Sequence, residues 1–167
     1  GFYLRWFTPE IEMDLCGHAT LATAYCLKNH LDYKKNQVIF DSMSGELIVK
    51  FDGDYIQMDF PHRKPKNSEL PKNIMESLSI KPNKVLKERD YVLVYDNEEQ
   101  IKNIKIDKEL FDKTNLDPGG VVITSKGTKS DFVSRYFVPQ CSFFEDPVTG
   151  STHCLLYTSD AADEDCC

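Results

Sequence analysis

Two short stretches of this chain concentrate residue types that could do chemistry. The first reads Asp14-Leu15-Cys16-Gly17-His18-Ala19-Thr20, and the second Glu145-Asp146-Pro147-Val148-Thr149-Gly150-Ser151-Thr152-His153-Cys154. Together they offer imidazoles, carboxylates, hydroxyls and thiols, the set needed to take up and return protons. Each also places a glycine where a helix is set to begin. The first turn of a helix has backbone N–H groups without intrahelical partners, and the helix dipole adds partial positive charge there. Glycine lets a ligand approach that backbone closely. A buried helix start is therefore a ready site for a carboxylate or an oxyanion. Two such starts facing one another across a cleft would hold a small anionic molecule. Taken singly, neither motif is specific. A lone His beside an apolar helix is commonly a structural hydrogen-bonder, and Asp-Pro-x-Thr-Gly-Ser also reads as a turn and helix cap, with Ser151 as the cap.

The elements that must position these motifs follow from periodicity. Phe2, Leu4 and Trp6 alternate with Tyr3, Arg5 and Phe7 as in a strand, which Thr8-Pro9 ends. Ala19 to Leu27 is apolar on every helical face, which predicts a buried helix from about Gly17 to about His30. Strands are expected at Val38–Phe40, Leu47–Phe51 and Ile56–Phe60, the last two joined by a turn at Asp52-Gly53. The polar stretch from Pro61 to Pro71 reads as a solvated linker. Beyond it come a helix near Lys72–Leu78, a strand Tyr91–Tyr95, a helix near Lys108–Lys113, and strands Val121–Thr124 and Phe132–Val138. The Phe and Tyr positions of the strands are expected to be core.

The chain echoes itself. Arg5-Trp6-Phe7-Thr8-Pro9 is followed by Gly17, and Arg135-Tyr136-Phe137-Val138-Pro139 by Gly150, twelve and fifteen residues after the respective arginines. Each copy is a strand, an irregular loop and a glycine that opens a helix. This argues for two related halves, residues 1–62 and 63–154. Arg5 and Arg135 are expected to pair with buried carboxylates in service of the fold. The last thirteen residues, 155–167, carry four acids and no base, and resemble a translated adapter, so they are read as a non-native tail.

Composition narrows the function classes. With 41% hydrophobic and 28% charged residues the chain belongs with globular proteins. A net charge of −7, or −3 without the acidic tail, argues against phosphate-dominated nucleic-acid binding. No apolar run approaches the roughly 18–20 residues of a membrane helix. Six cysteines at irregular spacing, without a CxxC pair, suggest a reduced, cytoplasmic protein.

Together and in this order, Arg-Trp-Phe-Thr-Pro, Asp14-Leu15-Cys16-Gly17-His18-Ala19-Thr20-Leu21-Ala22, Ser134-Arg135-Tyr136-Phe137-Val138-Pro139 and Glu145-Asp146-Pro147-Val148-Thr149-Gly150-Ser151 resemble the blocks of the PhzF-like, phenazine-biosynthesis family of isomerases. The resemblance implies an α+β, diaminopimelate-epimerase-like fold: two pseudo-symmetric halves, each a curved sheet around a central helix. It puts the family's active-site His, Asp and Ser on His18, Asp146 and Ser151, and its substrate-binding glycines on Gly17 and Gly150. It implies a proton shift within a small carboxylate-bearing substrate, with no cofactor and no metal, and a homodimer as an option. The family's general base is a Glu ahead of the Arg-x-Phe strand. No residue here receives that role, so the chain is expected to be an inactive fragment of an enzyme, and Glu10 and Glu12 are not candidates.

Four other readings compete. A two-thiol epimerase or racemase of the same fold would use Cys16, but the corresponding place in the second motif is read as Asp146, and Cys154 lies within the helix. Cys16, His18, His153 and Cys154 do not have the spacing of a zinc ribbon. A Cys16/His18 hydrolase dyad is disfavoured because residues two apart on a helix do not face each other. A non-catalytic ligand-binding module is the alternative from a different class.

Overall fold

A computed structural model describes residues 1–7, 12–59, 64–116, 119–141, 143–147, 149–150, 152 and 156. The chain divides into two compact units, Gly1–His62 and Arg63–Cys167.

In the first unit, strand β1 (Phe2–Tyr3) pairs in parallel with β4 (Gln37–Ser42), which continues antiparallel into β5 (Gly45–Asp52) and β6 (Tyr55–Asp59). The single strand expected over residues 2–7 is split. Leu4 still donates to the Asp41 carbonyl, and β2 (Trp6–Phe7) then leaves that sheet to pair with β3 (Glu12–Met13). Helix α1 spans Gly17–His30. One of its faces, with Ala19, Ala24 and Leu27, packs with Val38, Phe40, Leu47 and Val49 of the sheet and with Trp6.

The expectation that α1 is buried all round does not hold. Leu21 is 37% exposed and Tyr25 51%, because the four-stranded sheet of this unit covers only one side of the helix. Phe2, Tyr3, Phe7 and Tyr55 likewise lie on uncovered faces, so not every strand aromatic is core.

The second unit is built on a six-stranded mixed sheet in the order β12-β11-β10-β9-β8-β7. Its strands are β7 (Lys66–Asn67), β8 (Lys84–Lys87), β9 (Tyr91–Val94), β10 (Val121–Lys126), β11 (Phe132–Phe137) and β12 (Glu145–Asp146). The stretch read as a linker is therefore partly structured: Lys66 and Asn67 pair with Lys87 and Leu86, and Pro65 is buried. Only β9 and β10 run parallel, as their crossover through α3 (Glu98–Asn103) and α4 (Lys108–Phe111) requires. With α2 (Lys72–Ser77), these helices cover one sheet face, where Tyr91, Leu93, Val121, Ile123 and Phe137 meet Ile74, Ile101 and Phe111.

On the other face Leu86, Val92 and Val122 pack around Leu156, which is 2% exposed although the sequence places it in the tail. Strand alternation divides the two cores, since Val92 and Val122 point away from their neighbours Tyr91, Leu93, Val121 and Ile123.

Candidate functional site

In the first unit, the motif residues gather at the start of α1. Cys16 is the N-cap, with extended backbone (φ −143, ψ 104), and Gly17 and His18 are the first two helical residues. Below them the fully buried Thr20 donates its hydroxyl to the Cys16 carbonyl at 2.7 Å, and Ser44 in the β4–β5 turn donates to the Asp14 carbonyl at 2.9 Å. These bonds hold the loop that leads into the helix.

Cys16 Sγ lies 3.6 Å from His18 Nδ1 and 3.8 Å from Nε2. The argument that residues two apart do not meet fails here because Cys16 stands outside the helical lattice. Its extended backbone turns the thiol over the first turn, where N-cap side chains ordinarily reach.

In the second unit, Asp146 lies on β12, directly paired with Tyr136 on β11. An open hollow of about 220 Å³ is lined by Ser134, Arg135, Tyr136, Asp146, Pro147, Thr149, Gly150 and Thr152. Thr149 donates to Asp146 Oδ2 at 2.6 Å, and Thr152 donates to the Thr149 carbonyl at 2.7 Å. Gly150 is helical, and among the described residues nothing lies within 4 Å of where a β-carbon would stand. Packing among the described residues does not require a glycine there. The open backbone suits a ligand instead.

The structure thus brings Asp146 and Gly150 to one hollow in the second unit, and Gly17, His18 and Cys16 to one helix start in the first. Ser151, His153 and Cys154 lie outside the described residues, as does Glu10. Glu12 is held by Arg5, whose guanidinium draws its carboxyl below the usual range, so it makes a poor base. Among the described residues no three His, Cys, Asp or Glu side chains gather as a metal site. Cys16, Cys26 and Cys141 are free thiols, and no helix among the described residues is long and apolar enough to cross a membrane.

Tyr136 and Thr149 are the site residues that the motifs did not single out. Thr149 was visible inside the second motif, but its bond to Asp146 was not. Tyr136 reaches the hollow through the β11–β12 register, and its hydroxyl donates to Asp90 Oδ1 at 2.9 Å. That carboxylate is 3% exposed and also accepts the Gly120 N–H at 2.8 Å.

Burial pushes the Asp90 carboxyl up, against the pull of Arg89 and of these two hydrogen bonds. The folded protein therefore keeps this proton to a higher pH than the unfolded chain does. The resulting stability is fully present below the unfolded value of about 3.9 and is lost as pH rises through the folded one. Asp90→Asn keeps an oxygen for both donors and removes the charge. Its urea midpoint, relative to wild type, is expected to rise as pH increases from about 4 towards 7. Parallel curves for the two proteins would contradict this account.

Comparison with known proteins adds an independent line. A family model described as phenazine biosynthesis-like protein matches residues 1–159. The chain is 44% identical over 155 residues to an uncharacterized isomerase of Pseudomonas aeruginosa, covering 93% of this chain and 59% of that protein. It is 35% identical over 175 residues to phenazine biosynthesis-like domain-containing protein 2 of Mus musculus, covering 93% and 60%. The crystal structure of a PhzF-family phenazine biosynthesis protein from Enterococcus faecalis matches with a TM-score of 0.77 at 39% identity, covering 93% of this chain and 60% of that one. The chain spans about three-fifths of the length of these relatives.

Proposed function

The chain belongs to the phenazine biosynthesis-like, PhzC–PhzF family, with the α+β, diaminopimelate-epimerase-like fold, and on that premise we propose that the protein is an isomerase moving a proton within a small carboxylate-bearing metabolite. One observation carries the reading furthest. Asp146, Thr149 and the open backbone of Gly150 line a single hollow where the chain turns helical, and the backbone of a helix start is suited to an anion.

In the proposed reaction a base removes an acidic C–H proton, and the electron pair delocalises onto the substrate's carboxylate-bearing π system. The proton then returns to a different carbon, so no net oxidation or reduction occurs. Gly17, Gly150 and Ser151 stabilise the developing negative charge, a contribution of roughly 3–4 kcal/mol per fixed donor. His18 and Asp146 hydrogen-bond the substrate or pass the proton. The base is a Glu that precedes the Arg5 strand in the full-length protein. The substrate is bound without a cofactor, a homodimer is one option for the assembly, and the cytoplasm is the proposed compartment.

The test is to incubate the protein, at the length of its relatives, with a panel of small carboxylates in D2O. Deuterium is followed at carbon by NMR. Incorporation at a carbon other than the one deprotonated supports the proposal, and no incorporation with any member of the panel overturns it.

The contact between Cys16 and His18 favours a second reading, the two-thiol epimerase, because it gives the thiol a proton partner. Against it, Glu12 and Gly17 are five residues apart, as are Glu145 and Gly150, so Thr149 and not Asp146 occupies the place of Cys16. The hydroxyl of Thr149 is no thiol. In the same assay Cys16→Ser keeps the exchange rate within a few fold and His18→Ala loses it if the isomerase reading holds. The reverse pattern selects the epimerase.

A further inference from the structure

The same ion pair is built twice, at the same place relative to each helix start. In the first unit Arg5 donates to both carboxylate oxygens of Glu12 at 2.7 Å, and Glu12 is the strand partner of Phe7. In the second, Arg135 donates to both oxygens of Glu145 at 2.7 and 2.8 Å, and Glu145 is the strand partner of Phe137. Each guanidinium also sits over the ring of the Phe two residues on, at 4.8 and 5.0 Å from its centroid. From each Glu the chain runs five residues to the first glycine of a helix, Gly17 or Gly150.

From the sequence, Arg5 and Arg135 are expected to pair with buried carboxylates. Both pairs are in fact partly exposed, with side-chain exposures of 49% and 26% in the first and 30% and 39% in the second. Exposed ion pairs contribute little to global stability, so a bidentate pair repeated with this register asks for another explanation. β2, β3 and β12 have only two residues each, and two paired residues hold a loop weakly. A forked, charge-assisted bridge adds direction as well as attraction.

We propose that Arg5–Glu12 and Arg135–Glu145 are a duplicated positioning device, each fixing the loop from its Glu to the N-terminal turn that begins at Gly17 or Gly150. The device sets where the backbone N–H groups of that turn point, and in the second unit it also sets Asp146, the neighbour of Glu145. Its catalytic meaning rests on the isomerase reading. The positioning itself does not.

The glutamates are the residues to change, because Arg135 also donates to the Ile101 carbonyl at 3.0 Å and its loss would loosen α3 as well. Glu12→Gln and Glu145→Gln, in the full-length protein, keep size and remove the charge. Amide hydrogen exchange, read by NMR without any substrate, is expected to quicken about tenfold at Thr152, whose N–H donates to the Thr149 carbonyl at 3.3 Å, in Glu145→Gln, with Thr20, whose N–H donates to the Cys16 carbonyl at 3.1 Å, unchanged, and the converse in Glu12→Gln. The melting temperature stays close to wild type. In the deuterium assay each variant lowers kcat by about tenfold or more with little change in KM, as misplaced catalytic groups do. Unchanged exchange at both Thr20 and Thr152 overturns the proposal, as does loosening spread over the whole sheet with a fallen melting temperature. Wild-type protein inert towards every carboxylate would overturn the isomerase reading, while the exchange data still decide the positioning.

Discussion

Asp146→Asn is expected to slow deuterium incorporation by about a hundredfold or more, the usual loss when a positioned acid or base is removed. The substitution is nearly isosteric. Asn keeps an oxygen that can accept the Thr149 hydroxyl, now 2.6 Å from Asp146 Oδ2, so the hollow retains its shape. What disappears is the negative charge and the ability to accept a proton. If Asp146 relays the proton, kcat falls and KM stays nearly constant, because the interaction matters more in the transition state than in the bound ground state. If it only anchors substrate, KM rises and kcat is spared. If it serves the fold alone, neither moves beyond the change in folded fraction. Thr149→Val provides the internal comparison, since it leaves the carboxylate but removes the hydroxyl that orients it. It should lie between wild type and Asp146→Asn in kcat. A full-length Asp146→Asn protein with wild-type kcat would remove Asp146 from the proposed chemistry.

What the sequence reveals depends on how far apart the determining residues lie. Helix α1 is found at Gly17–His30 as the sequence predicts, because its unbroken run of apolar and small residues from Ala19 to Leu27 lies between a glycine start and the polar Lys28-Asn29, all of them local signals. β4, β5 and β6 are equally legible, since their alternating residues bury one face of the sheet. Strand β8 (Lys84–Lys87) and helix α3 (Glu98–Asn103) escape this reading because they are short and bounded by charges. β8 is held by its pairing with β9 more than by its own propensity. α3 does carry a local signal, Asn97 capping the Gln100 N–H while Gln100 bonds back to the Asp96 N–H, a variant of the capping box.

The candidate site divides in the same way. Asp146, Gly150, Gly17 and His18 stand in compact motifs and can be named from them. Tyr136 enters the hollow only through its register with Asp146, and Asp90 reaches Tyr136 from 46 positions away. No periodicity records such a partnership. Similarly, the outer face of α1 looks like core by composition, and only the extent of the sheet shows which side of it is covered.

That long-range partnership sets the second large effect. Gly120→Ala is expected to destabilise the second unit by about 3–5 kcal/mol, the sum of an overpacking cost and a lost bond to a buried carboxylate. An alanine β-carbon would stand 2.6 Å from both the ring carbon Cζ and the hydroxyl of Tyr136, and 2.7 Å from the Phe137 carbonyl oxygen. Tyr136 could yield only by giving up its 2.9 Å bond to Asp90, and the Phe137 oxygen, being backbone within β11, cannot yield without disturbing the pairing with β10. The Gly120 N–H bond to Asp90, at 2.8 Å, would shift with the backbone, leaving a buried acceptor without either donor. Tyr136→Phe provides the control: it removes one donor and creates no clash, and should cost about 1–3 kcal/mol. Because both changes act on the same hydroxyl, the double variant should cost less than the sum of the two. It should not return to wild type, since the clashes with the ring carbon Cζ, which Phe retains, and with the Phe137 carbonyl persist. Equilibrium unfolding in urea measures all three. In a unit of about 100 residues the single Gly120→Ala change corresponds to a fall in melting temperature of about 10 °C or more. A loss below about 1 kcal/mol would mean that the Asp90–Gly120–Tyr136 arrangement relaxes freely, and that Tyr136 is not held rigidly at the wall of the hollow.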